Sequence, residues 1–224
     1  MNFNIKLFGK INRFLRFHYV TPKMKNNLKN KDFSLLCNNC IGGMIYHDFG
    51  LQFKSPTINL FYHSLDFLDF IEYYDSYIDS PLVQISNPRY DPEAPDYPVA
   101  LLKSTNGNHK DLEINFLHYK SFEDAKKSWE TRKRRINTNN LFIIVTIAGL
   151  PYDEELYMRC ENLPCKNKVF FVNHPVDSTK YPHFFYVKGF EKQTGLGNIM
   201  TYMNLNGQRY YDQFDFVKWF NKGK

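Results

Sequence analysis

The 224-residue sequence predicts an α/β fold: a three-layer α/β/α domain on a mixed, mostly parallel sheet with one antiparallel hairpin. Three observations carry this. Short apolar runs of strand length alternate with stretches of helical periodicity along most of the chain. The run "LFIIVTI" at 141–147 is apolar almost throughout, which suits the centre of a parallel sheet covered on both faces. Asn106-Gly107, between two further runs, is a hairpin signal and makes that pair antiparallel.

Each element has its own warrant. Residues 3–19, "FNIKLFGKINRFLRFHY", place Leu7, Phe8, Ile11, Phe14 and Leu15 on one helical face, with Lys6, Lys10 and Arg13 opposite. Pro22 is expected to end this helix, and the Lys- and Asn-rich stretch to residue 31 reads as a linker. Residues 33–37 form a buried strand and 42–49 a short helix. A second strand is expected at 57–62, "TINLFY", followed by a helix from Leu65 to Asp75 capped by Ser64. Strands follow at 82–85, 99–102 and 112–119, with a proline-rich loop after the first. Ser121 and Asp124 make a capping-box pattern for a helix running to Ile136. After the 141–147 strand come a helix near 153–161, strands at 169–172 and 184–187, and a closing helix near 212–220.

Composition locates the charge. Of the 29 Lys and Arg, 8 lie in residues 1–31, a stretch without one acid, so the rest of the chain holds 21 against 23 acids. The organisation is a basic amphipathic arm, 1–31, on a single near-neutral domain, 32–224. That pattern argues against a uniformly basic nucleic-acid binder. No run of about 18 apolar residues occurs, and the N-terminus has neither the apolar core nor the cleavage site of a signal peptide. Four cysteines without a secretory signal read as reduced thiols, so the expected location is cytoplasmic.

The stretch "LLCNNCIGGMIYHD", 35–48, sets a C-x-x-C where a strand meets a helix. It fits three chemistries. A helix N-terminus lowers the pKa of a redox thiol. A zinc site would need Cys160 and Cys165 as its other pair. An anion cradle would use backbone N–H groups around Asn39, Gly42 and Gly43. Buried structural thiols and a turn that merely needs glycine are the plainer readings. Further on, Leu112, Ile114 and Phe116 share a strand face with His118 at its end, and Phe122, Ala125, Trp129 and Ile136 stripe the next helix. Arg132 sits at the edge of that stripe, and Arg135 and Asn137 close the helix. These arginines either lie along apolar surface and the helix terminus or converge with His118 on a diphosphate. The sequence holds no D-x-D, G-x-S-x-G, P-loop or H-E-x-x-H motif, and "TGLGNI" at 194–199 lacks a third glycine in register.

In "NNCIGG", "SPTINLFY", "YPVALL" and "INFLHYKSFEDAKKSWETRKRRIN" together, the chain resembles a bacterial family known only as domain of unknown function 1919, over about residues 30–190. The resemblance implies a three-layer α/β fold and a place in capsule, exopolysaccharide or lipooligosaccharide assembly. It also implies that Cys40, and not Cys37, belongs to the family pattern, which weighs against both a redox pair and zinc.

The expectation is a glycosyltransferase without metal or cofactor, taking a nucleotide-sugar donor and a lipid-linked or saccharide acceptor. His118 would be the general base, Arg132 and Arg135 would hold the departing diphosphate, and Asn39, Gly42, Gly43 and Asn137 would complete the donor site. A non-catalytic accessory protein and an acetyl or phosphoglycerol transferase are the alternatives. Helix 3–19 is expected to rest on a membrane surface at the inner face of the cell, the alternative being docking on the domain.

Overall fold

The computed structural model describes residues 2–223 apart from 92, 94, 105, 106, 148, 149, 151, 194 and 197. The chain begins with one long helical run: α1 (Asn2–Leu15), a π-helical turn at Arg16–Val20, and α2 (Thr21–Asn27). Pro22 therefore does not end the first helix. It lies in the first turn of α2, after a π turn in which Thr21 N–H reaches back to Arg16 O. Proline brings no amide and crowds the carbonyl four residues earlier, and the wider turn makes room for it. Nor are residues 21–31 a bare linker, since Leu28 and Asn30 are buried against the body.

The centre is a four-stranded parallel sheet ordered β1 (Ser34–Cys37), β5 (Leu141–Thr146), β6 (Asn167–Val172) and β7 (Phe184–Tyr186). Between β1 and β5 run α3 (Ile41–Phe49), α4 (Ser64–Glu72), α5 (Tyr74–Tyr77), β2 (Leu82–Ile85), β3 (Val99–Leu102), β4 (Leu112–Asn115) and α6 (Phe122–Lys133). After β5 come α7 (Glu154–Glu161), the last two strands and α8 (Phe216–Lys222).

Alternation along the strands divides the interior in two. Leu36, Ile143, Val145 and Phe170 point into a core shared with α4, α6, α7 and the small sheet. Leu35, Phe142, Ile144 and Phe171 point into a core shared with α3 and α8. The sheet is thus covered on both sides, as an apolar β5 requires, and each buried Leu, Ile or Phe contributes on the order of 2 kcal/mol of transfer free energy.

The hairpin strands β3 and β4 pair antiparallel as expected, but with β2 they form a separate three-stranded sheet instead of joining the parallel one. Gly107 takes the left-handed conformation of a turn (φ 67), while Asn106 lies outside the described residues. The strand expected at 57–62 is reduced to a bridge between Phe61 and Asn115. Asn59 explains the loss, since its φ of 65 breaks any extended run through it. The strand expected to reach Tyr119 stops at Asn115, leaving His118 in a turn. Helix α4 is not capped by the Ser64 side chain, whose hydroxyl donates to Thr146 O, whereas Ser121 caps α6 as expected and Asp153 caps α7. Among the described residues no helix is long and apolar enough to cross a membrane.

Candidate functional site

Strand β1 is followed by Asn38-Asn39-Cys40, and these three residues build a site at the carboxyl edge of the sheet. Asn38 extends the β1–β5 pairing with its side chain: its amide nitrogen donates to Thr146 O, and its Oδ1 accepts from Thr146 N–H. Asn39 donates to Thr146 Oγ1 and accepts from Ile41 N–H, which fixes the start of α3. Chain departure from the two strands then diverges. Helix α3, following β1, packs into one core, and α7, following β5, packs into the other. Where neighbouring connections leave a parallel sheet toward opposite faces, a crevice opens at the strand ends.

That crevice is a cleft of ≈ 570 Å³ whose wall includes Cys40, Gly43, Asn59, His118 and Arg209. A second hollow of ≈ 370 Å³ adjoins it across Cys40, Leu117 and Met200, and holds Asn39, His63 and Thr146. Cys40 stands at the N-cap of α3, with its Sγ 3.3 Å from His118 Nε2. Burial holds the Cys40 thiol above its ordinary pKa. The resting group is therefore a thiol with its proton in place and an imidazole beside it to take that proton. His118 is brought there by the turn after β4, where its amide donates to Asn59 O. Asn59, in left-handed conformation, is the described non-glycine residue with positive φ, and such strain gathers at functional sites.

The first turn of α3 is glycine for a packing reason at one position and a spatial one at the other. A Cβ on Gly42 would lie 2.9 Å from Cys37 Sγ, and the Gly42 N–H is directed at that sulfur. Gly43 meets nothing closer than 3.4 Å and faces the cleft. Cys37 itself is fully buried, and burial raises its pKa far above the ordinary range. All four cysteines are free, with Cys37 and Cys160 in different cores.

The residues expected to act together are only partly assembled. His118 and Gly43 share the cleft wall, and Gly42 lies just behind it. Asn39 uses its side-chain oxygen and one amide hydrogen to hold β1 to β5 and start α3, and it lines the adjoining hollow instead of the cleft with His118. Arg132 stands one layer back: it donates to Ile58 O and Tyr119 Oη, and its guanidinium lies 5.2 Å from the Phe53 ring centre. Arg135 is exposed and reaches Phe53 O at 3.5 Å. Asn137 bonds Ser34 and Asp32 at the amino end of β1, the opposite edge of the sheet. A diphosphate clamp of Arg132, Arg135 and Asn137 at this cleft is therefore not what the fold builds. Helix α6 turns their backbone positions toward the 53–58 loop and the strand start.

Sequence reasoning missed Cys40 as the partner of His118, because the two are 78 residues apart. It also missed Arg209, which supplies the guanidinium at the cleft wall and is held by Tyr211 Oη and Asp48. His63 was overlooked as well; it stacks 3.8 Å from the Tyr90 ring centre, and burial lowers its pKa, with Glu113 and Asp66 opposing. A larger hollow of ≈ 910 Å³ lies between α2 and α8, but its lining has no cysteine or histidine.

An uncharacterized protein of Haemophilus influenzae is 36% identical over 219 residues, covering 96% of this chain and 97% of its own length. The model of the family described as domain of unknown function DUF1919 matches residues 11–221, a span that takes in the cleft and the last five residues of α1. The chain belongs to that family.

Proposed function

We propose that this protein is a transferase of cell-surface polysaccharide assembly, with Cys40 and His118 as its reactive pair. The observation that carries the proposal is the 3.3 Å contact of Cys40 Sγ with His118 Nε2 at the start of α3, open to a cleft at the carboxyl ends of β1 and β5. A saccharide acceptor follows from the family resemblance. The reaction this pair fits best is acyl transfer. His118 takes the Cys40 proton, the thiolate attacks the carbonyl carbon of an acyl thioester, and the donor thiol leaves with that proton. A saccharide hydroxyl then gives its proton to His118, attacks the Cys40 thioester and releases the thiol. The N-terminus of α3 favours the negative charge that develops on sulfur and on the carbonyl oxygen.

Glycosyl transfer from a nucleotide-activated sugar is the second reading. There His118 activates the acceptor hydroxyl directly, and Arg209 with the helix N-terminus faces the departing diphosphate. In either case the enzyme works at the cytoplasmic face of the cell membrane, where a lipid-linked acceptor is presented.

The test is intact-protein mass spectrometry and turnover across acyl-CoA and nucleotide-sugar panels, on the wild type, Cys40→Ala and His118→Ala. Acyl transfer predicts an acyl adduct on Cys40 and a loss of about 100-fold or more in turnover for both variants. Turnover of a nucleotide sugar that survives Cys40→Ala but not His118→Ala would replace it with the second reading. Binding of neither donor class, and no adduct, would leave the accessory-protein alternative.

A further inference from the structure

The N-terminal helix is attached to the body by its polar side. Asn12 and Arg16 are buried on the α1–π segment, where residues 5–20 have their burial described, and both meet the loop before α8. Asn12 Oδ1 accepts from Gly207 N–H, and Arg16 donates to Gly207 O, Asp48, Asp212 and Tyr211. Gly207 comes so close that a Cβ there would lie 2.6 Å from Arg16 N. At 100° per residue, Leu7, Ile11 and Phe14 fall on the side opposite Asn12 and Arg16. They are 45%, 39% and 55% exposed, and Phe17, on the following turn, is 70% exposed. A helix that docks on its own domain buries its apolar stripe. This one buries Asn12 and Arg16, half-buries Phe8 and Leu15 beside them, and leaves Leu7, Ile11 and Phe14 outside.

The charge around the stripe selects what covers it. Lys6, Lys10 and Arg13 are exposed on the side of it away from Phe8 and Leu15, and residues 1–31 contain no acid. A second copy of the chain would bring these cations against one another. An anionic lipid surface meets them favourably and takes the apolar ridge into its headgroup boundary.

Two further contacts orient such a docking. Asp48, which receives Arg16, lies near the end of α3, the same helix whose start carries Cys40. A groove of ≈ 500 Å³ between arm and body, walled by Arg13, Phe17, His18 and Lys25, shares His47 and Arg209 with the Cys40 cleft.

We infer that the outer face of the helix, Leu7–Ile11–Phe14–Phe17 with Lys6, Lys10 and Arg13, docks the protein on anionic membrane and sets the cleft beside the lipid surface. The inference stands on the arm alone and is read without turnover, so it and the transfer chemistry can fail separately. The full-length protein is sedimented with vesicles of phosphatidylcholine alone and with added phosphatidylglycerol, at low and high salt. Leu7→Ser/Ile11→Ser/Phe14→Ser and Lys6→Glu/Lys10→Glu/Arg13→Glu are compared with wild type. All six residues are exposed and none holds the arm to the body through a hydrogen bond described above, so circular dichroism and melting temperature should match wild type. Salt-sensitive binding to anionic vesicles is expected, falling roughly fivefold for each cation removed. It should fall at least tenfold in the serine variant. No binding by wild type, equal binding by either variant, or a concentration-dependent dimer abolished by the serine variant would overturn the inference.

Discussion

The two ends of α3 make opposite use of polar side chains. At its last turn Asp48 is buried with Arg16, Arg209 and Tyr211 around it, and Arg16 spends its nitrogens on Asp48, Asp212, Tyr211 and the Gly207 carbonyl. Burial works against the Arg16 charge, but Asp212 and Asp48 more than offset it and leave its pKa above the ordinary value. At the first turn, eight residues earlier, Cys40 and His118 face each other at a wall open to solvent, with neither in a comparable network. The Arg16 guanidinium, with its nitrogens all engaged, fixes geometry and has nothing left to offer a ligand. An undersupplied pair on a rigid helix start costs little to keep and is free to react.

The largest effect that separates the two ends is on stability. Arg16→Met should leave the Asp212 carboxylate without a cation and Asp48 with only Arg209, at 3.3 Å, and cost about 3–5 kcal/mol. In a chain of this size that lowers the melting temperature by on the order of 10 °C. Cys40→Ala should leave the melting temperature nearly unchanged. Differential scanning calorimetry of both variants checks the contrast; a Cys40→Ala loss as large as that of Arg16→Met would erase it.

Much of the fold was legible in the sequence, and the exceptions share one cause. Strand β5 could be read because the apolar run at 141–147 admits one environment, and Ser121 could be read as a cap because its partner Asp124 lies three residues away. Asn59 could not, because its left-handed conformation is set by where Gly43 and the His118 turn lie, and it removes the strand expected at 57–62. The apolar face of α1 was visible, but which side faces inward was not. Arg16 looked like one more cation of a basic arm, and its partners are 32 and 196 residues away. The site divides in the same way. His118 and the 39–43 turn were recognisable from local pattern, whereas the Cys40 contact is a product of the β1–β5 pairing and the small sheet. The arginines of α6 were misplaced because helical spacing gives a face and not the neighbour it meets.

A smaller effect probes how the reactive end is held. Gly42→Ala forces a methyl against Cys37 Sγ, and an overpacked core position costs about 1–3 kcal/mol. Gly43→Ala meets only Ile58 at 3.4 Å and should be better tolerated. If the sulfur is the obstacle, Cys37→Ala/Gly42→Ala loses less than the two single variants together in chemical denaturation. Strict additivity would place the strain elsewhere, and α3 would then not depend on the Cys37–Gly42 approach for its position.

The smallest effect concerns pH and the hollow beside the cleft. His63 stacks on Tyr90, and burial lowers its pKa below the ordinary imidazole value against the opposing pull of Glu113 and Asp66. In the unfolded chain it titrates near 6.5. Between its lowered folded value and about 6.5 the unfolded state therefore binds more protons, and stability rises with pH across that window. Above it the contribution is fully present; on acidification it is progressively lost. The half-buried ring makes the slope shallow. His63→Gln keeps a polar planar group without a titrating proton, so urea denaturation at closely spaced pH values should show a flatter acid limb than wild type. An unchanged slope would mean that the acids Asp66 and Glu113 govern the pH response of this wall. The neutral imidazole beside the Cys40 cleft would then have no part in it.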